Sequence, residues 1–313
     1  MPGRCSHLAL AAALALGCGS SSSKKLPPLS KEELAARHFQ SAGSELLAHA
    51  PLGAQLVVEV DFARIRENPV LGELTGAVAG IWADTGLGFD PLRDADVMVL
   101  CAYRLGTAKA ETLTLVSSDK LANLAGAESL ADGVVAVGSV DMRKQARAVV
   151  AGKGKSMTSD ARFMKIRDGA VPDKAPGATL RFTAVLDFES RVSMARLFDL
   201  DRVPTAISAW GDVADDLAVV GILGADDARE AKKLAQASRK RLRKMAGHPI
   251  LQRLVLGYLL ESVSVTAHKH SARLVLVIEP NRLELLSKRL TRYAREASQN
   301  KAAPAPPVEE PES

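Results

Sequence analysis

A chain of 313 residues with 47% apolar content is long enough to bury one large core or two modest ones. Its 41 basic and 36 acidic residues are interspersed, the net charge is only +5, and aromatic residues make up 4%. That balance argues against a basic face interleaved with stacking aromatics, so no nucleic-acid partner is expected.

The chain begins with Arg4 followed by a short apolar run, Leu8-Ala9-Leu10-Ala11-Ala12-Ala13-Leu14-Ala15-Leu16, and then the small pair Gly17-Cys18. A basic residue, a short greasy stretch and small residues are the marks of a secretory signal. The run is far shorter than the ~20 residues that a spanning helix needs. The sequence Leu14-Ala15-Leu16-Gly17-Cys18 resembles the lipobox of bacterial lipoproteins. The resemblance implies cleavage before Cys18, attachment of fatty acyl chains, palmitate among them, to that residue, and a membrane as its partner. Gly19 stands where inner-membrane members of that family carry aspartate, which implies the periplasmic face of the outer membrane. Ala15 stands where the family usually has leucine, so a secreted or periplasmic soluble protein is the alternative.

Residues 18–29 read as a lipidated cysteine and a flexible tether, with Ser20 to Ser23, Lys24-Lys25 and Pro27-Pro28. Ser30 and Glu33 form a capping box, and Leu34, Ala35, His38, Phe39, Ala42, Leu46 and Leu47 recur at helical spacing over roughly 30–48. A β-branched run from Gly53 to Val60 ends in Asp61-Phe62, and Asn68-Pro69 starts a helix expected to reach Trp82. A turn through Asp84 to Pro91 leads to strands at 95–102 and 111–117, a short helix near 119–125, a strand at 133–137 and a helix over 141–150.

Gly152 to Asp160 reads as a surface loop, and 153–176 as a connecting region between an N-terminal half (30–152) and a C-terminal half (177–300). The second half repeats the first's order: Gly177-Ala178, a strand, Asp187-Phe188, then a helix expected to end near Trp210. This short match reads as a degenerate internal repeat. A strand at 216–223 and a helix from Asp226 to Met245 follow, and Gly247-His248-Pro249 breaks that helix. Then come an apolar helix over 249–260, a hairpin of 262–267 with 272–279, a helix over 280–298, and a Pro- and Glu-rich tail, 301–313, expected to be disordered.

These elements predict an α+β fold, with antiparallel-rich sheets, helices packed on one face and two degenerate strand-helix repeats. The pattern resembles uncharacterised repeat-containing envelope lipoproteins, with Asp-Phe ending the strand and a Gly88-Phe89-Asp90-Pro91 turn. No activity is implied by that resemblance.

Candidate chemistry is sparse. Cys101, alone after Cys5 leaves and Cys18 is lipidated, reads as a small buried residue on a strand rather than a nucleophile. Asp84, Asp90, Asp94 and Asp96 surround two glycines, as a calcium loop would, but suit turns as well. Gly154-Lys155-Ser156 lacks the earlier glycine of a phosphate loop, and His268 and His270 flank a hairpin turn without a third ligand. His38, His49 and His248 lack recognisable partners. Gly72, Gly76 and Gly80 form a bare helical stripe suited to close packing. Arg239 to Lys244 ends its helix with cations, which complements the helix dipole and alternatively suits anionic headgroups.

No catalytic residue, cofactor or metal is therefore expected. The leading expectation is a membrane-anchored, non-catalytic envelope lipoprotein that binds other envelope proteins or has a structural role. The alternative is a periplasmic carrier of lipid or another apolar ligand, with 249–260 as its lid. A hydrolase with an unrecognised site is the third reading.

Overall fold

The computed structural model describes residues 42–72, 88–121, 124–172, 178–198, 202–213, 216–249, 252 and 256–302. The signal stretch, Cys18, the tether and the capping box at Ser30 lie outside them, as do Trp82 and the tail beyond Ala302.

Among the described residues ten strands form one antiparallel sheet. In chain order they are β1 (Leu56–Asp61), β2 (Val97–Tyr103), β3 (Glu111–Ser117), β4 (Ala127–Ala131), β5 (Val134–Gly138), β6 (Leu180–Val185), β7 (Ala206–Val213), β8 (Leu217–Gly224), β9 (Ser264–His268) and β10 (Ser271–Ile278). The spatial order is β4-β5-β3-β2-β1-β6-β7-β8-β10-β9. Read outward from the centre, β1 is followed by β2, β3, β5 and β4, and β6 by β7, β8, β10 and β9. Both halves thus have the same connectivity. At the seam Val57 pairs with Thr183, and one strand further out Val57 pairs with Cys101 and Thr183 with Ser208.

The described helices are α1 (Ala42–Leu47), α2 (Phe62–Glu67), α3 (Pro91–Asp94), α4 (Val140–Val150), α5 (Ala161–Asp168), α6 (Phe188–Phe198), α7 (Ala228–Ala246), α8 (Leu256–Glu261) and α9 (Pro280–Ala302). The α+β class holds, but helices cover both faces of the sheet rather than one. Leu46 and Leu47 of α1, Met142 of α4 and Phe163 of α5 pack with Val57, Val99, Cys101 and Leu113 on one face. Phe62 of α2 and Leu92 of α3 pack with Met98, Val116 and Val135 on the other. Alternate residues of β2 and β3 therefore feed different cores, which is why β2 reads as an unbroken apolar run, VMVLCAY. In the second half α7 packs over β8, β10 and β9, and Leu283 of α9 meets Leu276 and Ile278.

Most boundaries follow local chemistry. Asp61 caps α2, its Oδ1 accepting from the Arg64 N–H at 2.9 Å. Asp187 does the same for α6 through the Ser190 N–H at 2.8 Å. Ser139, Asp160 and Asp227 cap α4, α5 and α7. Asn68 Oδ1 accepts from the Val70 and Leu71 N–H groups, as expected of a helix start.

Three expectations change. Trp210 does not end a helix: it lies in β7, all eight residues of which are buried, so the alternation that marks a half-exposed strand is absent. The connecting region 153–176 contains α5, which packs on β6 and β7. Where a helix was expected over 119–125, Leu124 and Ala127 donate three residues back in successive turns. There Gly126, at φ +80°, leads into β4, a short edge strand with an irregular register at Ser129 and Ala131.

Candidate functional site

The residues that the sequence singles out are mostly employed in holding the backbone. Cys18 lies outside the described residues. Cys101 is 0% exposed, and burial pushes its thiol up to about 12, against a smaller opposing effect of the Tyr103 hydroxyl. At neutral pH it is a protonated core residue, not a nucleophile.

Asp90 caps α3, with Oδ1 3.1 Å from the Leu92 N–H. Asp94 pairs with Arg93 at 2.9 Å, which lowers its carboxyl pKa, and Asp96 pairs with Arg66 at 2.6 Å. Asp84 is outside the described residues, among which no group of three His, Cys, Asp or Glu side chains could hold a metal. His268 and His270 are exposed at the β9–β10 turn, where Lys269 adopts φ 47°. His49 is half-buried and His248 exposed, and His38 lies outside the described residues.

Gly154-Lys155-Ser156 is tied to the α1–β1 connection: the Lys155 carbonyl accepts from Leu52 N–H at 3.0 Å, and Ser156 bridges Pro51. This geometry is a chain crossing rather than a phosphate cradle. A Cβ on Gly72 would lie 2.7 Å from the Arg66 carbonyl, so that glycine serves a close approach to its own preceding turn. Gly76 and Gly80 are outside the described residues.

Two ion-pair groups emerge that sequence spacing did not reveal, because their members are far apart in the chain. At the seam, Arg167 of α5 reaches Glu59 of β1 with two bonds, Nε–Oε1 at 2.6 Å and Nη2–Oε2 at 2.7 Å. Its Nη2 also donates to Ser44 Oγ at 2.8 Å, and Asp168 joins Arg167 to Arg181 of β6 at 3.0 Å each. Burial opposes the charge on Arg167, but the Glu59 and Asp168 carboxylates outweigh it and raise its pKa. For Arg181 burial and the neighbouring Arg167 prevail and lower it. In the second group Arg64 pairs with Asp212 at 2.8 Å, and Asp212 accepts from Thr179 Oγ1 at 3.0 Å. Both groups clamp elements together; Glu59 and Arg167 are each 4% exposed, leaving no route for a substrate to reach that pair.

Among the described residues, two exposed features carry clustered charge. One is an open cleft of ≈ 620 Å³ lined by Arg104, Lys109, Glu111, Asp141 and Lys144, with charges of both signs. The other is α7. Its sequence AREAKKLAQASRKRLRKMA carries eight cations and one glutamate. At 100° per residue, Arg229, Lys232, Lys233, Arg239, Lys240, Arg243 and Lys244 share one face, while Ala231, Leu234 and Ala235 are buried on the other. The whole chain is only +5, so outside α7 it is net negative. Its average composition conceals this face.

Beside α7 lies α8, brought close because Gly257 sits where a Cβ would be 2.5 Å from the Ala246 carbonyl. Tyr258 of α8 is 51% exposed, with the Arg282 guanidinium 5.3 Å over its ring. Leu285 of α9 is also exposed. Among the described residues no helix is long and apolar enough to cross a membrane.

No family model and no curated protein matches this chain. It is similar to two solved structures of TP0453. Crystal form I is 10% identical, with a TM-score of 0.37, over 78% of this chain and 96% of that one. Crystal form IV is 9% identical, with a TM-score of 0.38, over 82% of this chain and 98% of that one.

Proposed function

We propose that this protein is a membrane-anchored, non-catalytic lipoprotein of a bacterial envelope, held through lipid on Cys18 at the periplasmic face of the outer membrane. Its role is structural or one of protein interaction. The observation that carries the reading is the lipobox-like Leu14 to Cys18, placed ahead of a polar tether and a folded part whose candidate reactive groups are already committed. Cys101 is buried and protonated, Asp90 caps a helix, and Asp94 and Asp96 pair with arginines. A surface for partners is available at the sheet's outer strands: β9 exposes Ser264, Thr266, Ala267 and His268 along its free edge. The carrier reading gains no support from the described residues, since the spaces over both faces of the sheet are occupied by packed side chains such as Leu47, Met142 and Phe163 and Phe182, Leu234 and Leu274.

Envelope fractionation of cells expressing the full chain and its Cys18→Ala variant tests the reading. The wild-type chain is expected in the membrane fraction and to resist a high-salt wash. The variant is expected in the soluble periplasm or uncleaved at the inner membrane. Equal, salt-resistant membrane association of a cleaved Cys18→Ala chain would overturn it.

A further inference from the structure

We propose that the α7–α8–α9 face docks on the surface of an anionic phospholipid bilayer, so that the folded part lies against the membrane instead of hanging free from its tether. The inference takes its setting from the anchored reading but does not depend on the lipid at Cys18.

Helix-dipole complementarity accounts for Arg243 and Lys244 in the last turn of α7 and for nothing else on this face. Arg229, Lys232 and Lys233 stand in the first two turns, where positive charge opposes the dipole. Arg229 with Lys233, Arg239 with Arg243, and Lys240 with Lys244 are like-charged pairs four residues apart, each of which weakens an isolated helix. Glu230 relieves only the start of the helix, pairing with Lys233 at 2.7 Å and Arg202 at 3.2 Å. From Arg239 to Lys244 the helix bears five cations and no acid. A helix of 19 residues is about 28 Å long, so this face presents a row of charge rather than a point. Such a row matches an extended anionic surface better than a small anion.

The neighbours select a bilayer over a soluble polyanion. Tyr258, half-exposed and held by Arg282, and exposed Leu285 place apolar bodies among cations, the combination found where proteins meet the headgroup boundary. A base-stacking platform would need more aromatic surface than this one tyrosine offers.

The test uses the mature chain, residues 18–313 with Cys18→Ser, which carries neither the apolar signal nor an acylation site, in co-sedimentation with vesicles of phosphatidylcholine alone or with about one third phosphatidylglycerol. One variant neutralises the face, Arg239→Gln/Lys240→Gln/Arg243→Gln. A second removes the same charge elsewhere, Lys144→Gln/Lys153→Gln/Arg162→Gln, all exposed on other elements. Glutamine keeps helix propensity and relieves the repulsion, so α7 is expected to survive, and circular dichroism confirms that it does. The expected result is binding to the anionic vesicles that exceeds binding to the neutral ones, falls about tenfold or more in the α7 variant, and changes little in the control variant. Raising salt to about 1 M, where the Debye length is ~3 Å, should abolish the difference. Equal binding to both vesicle types, equal loss in both variants, or binding to a soluble polyanion but to neither vesicle would overturn the proposal. Loss of fatty acylation at Cys18 would leave these results untouched, so the two readings fail separately.

Discussion

Glu59 and Arg167 bury opposite charges at the point where the two halves of the sheet meet, with two short bonds between them. Removing one partner strands the other without water. Arg167→Met is therefore expected to cost about 3–5 kcal/mol in urea unfolding, while Glu59→Leu/Arg167→Met should recover much of the loss. A single substitution costing under about 1 kcal/mol would show that the pair is not a clamp. The two Asp-Phe pairs make a second test at this scale, because the same capping role sits in different surroundings. Asp61 is half-buried, and desolvation raises its pKa above the ordinary 3.8. Asp187 is exposed, and the Ser190 N–H lowers its pKa below that value. A raised acid penalises the ionised fold above its folded pKa, whereas a lowered acid stabilises the fold above 3.8 and loses that as pH falls through its folded pKa. Asparagine keeps either cap. Asp61→Asn should thus gain stability relative to wild type at neutral pH, and Asp187→Asn should lose it, both differences fading in acid. Urea midpoints followed from pH 7 downward check the signs, and the same sign in both variants would refute the assignment. The phenylalanines diverge likewise: Phe62 is buried, whereas Phe188 is 78% exposed.

At the scale of elements, what could be read from the chain depended on how one-sided each element is. β3 was legible to the residue, and α7, β9 and β10 nearly so, because β-branched runs and helical periodicity mark them. β7 was missed since Gly211 and Asp212 dilute its β-propensity, and Asp212 is tolerated there only through Arg64 and Thr179, residues distant in sequence. α5 was missed beneath a Gly- and Lys-rich stretch, though Asp160, three residues before Phe163, was a usable capping signal. The basic face was legible in part: the run Arg239 to Lys244 stood out, while its continuation to Arg229 appears only when the helix is wound. The close contact of α8 with α7 leads to a further expectation. Gly257→Ala should destabilise by about 1–3 kcal/mol, because its methyl group would meet the Ala246 carbonyl. Thermal melting measures this, and an unchanged Tm would mean that α8 does not seat there.

Across the whole molecule, one sheet runs through both halves, joined where β1 pairs with β6. The seam ties them twice more, through Glu59 with Arg167 and through Arg64 with Asp212. The stretch 153–176 lies between β5 and β6, where the two five-stranded halves follow one another in sequence; that the sheet continues across them no local pattern could reveal, because β-pairing is set by contacts distant in sequence. Unfolding should be a single transition, with Trp210 fluorescence in a Trp82→Phe chain and far-UV circular dichroism sharing one midpoint. Two separated midpoints would mean that the halves are independent. The candidate site divides similarly: the anchor is read from Leu14 to Cys18 alone, and the docking face from the folded helices. The anchor is the central claim, and intact mass spectrometry of the mature protein extracted from its envelope tests it most directly. The account predicts a chain that begins at Cys18 and carries the added mass of acyl chains on that residue. A mature chain that begins elsewhere, or begins at Cys18 with no added mass, would contradict it.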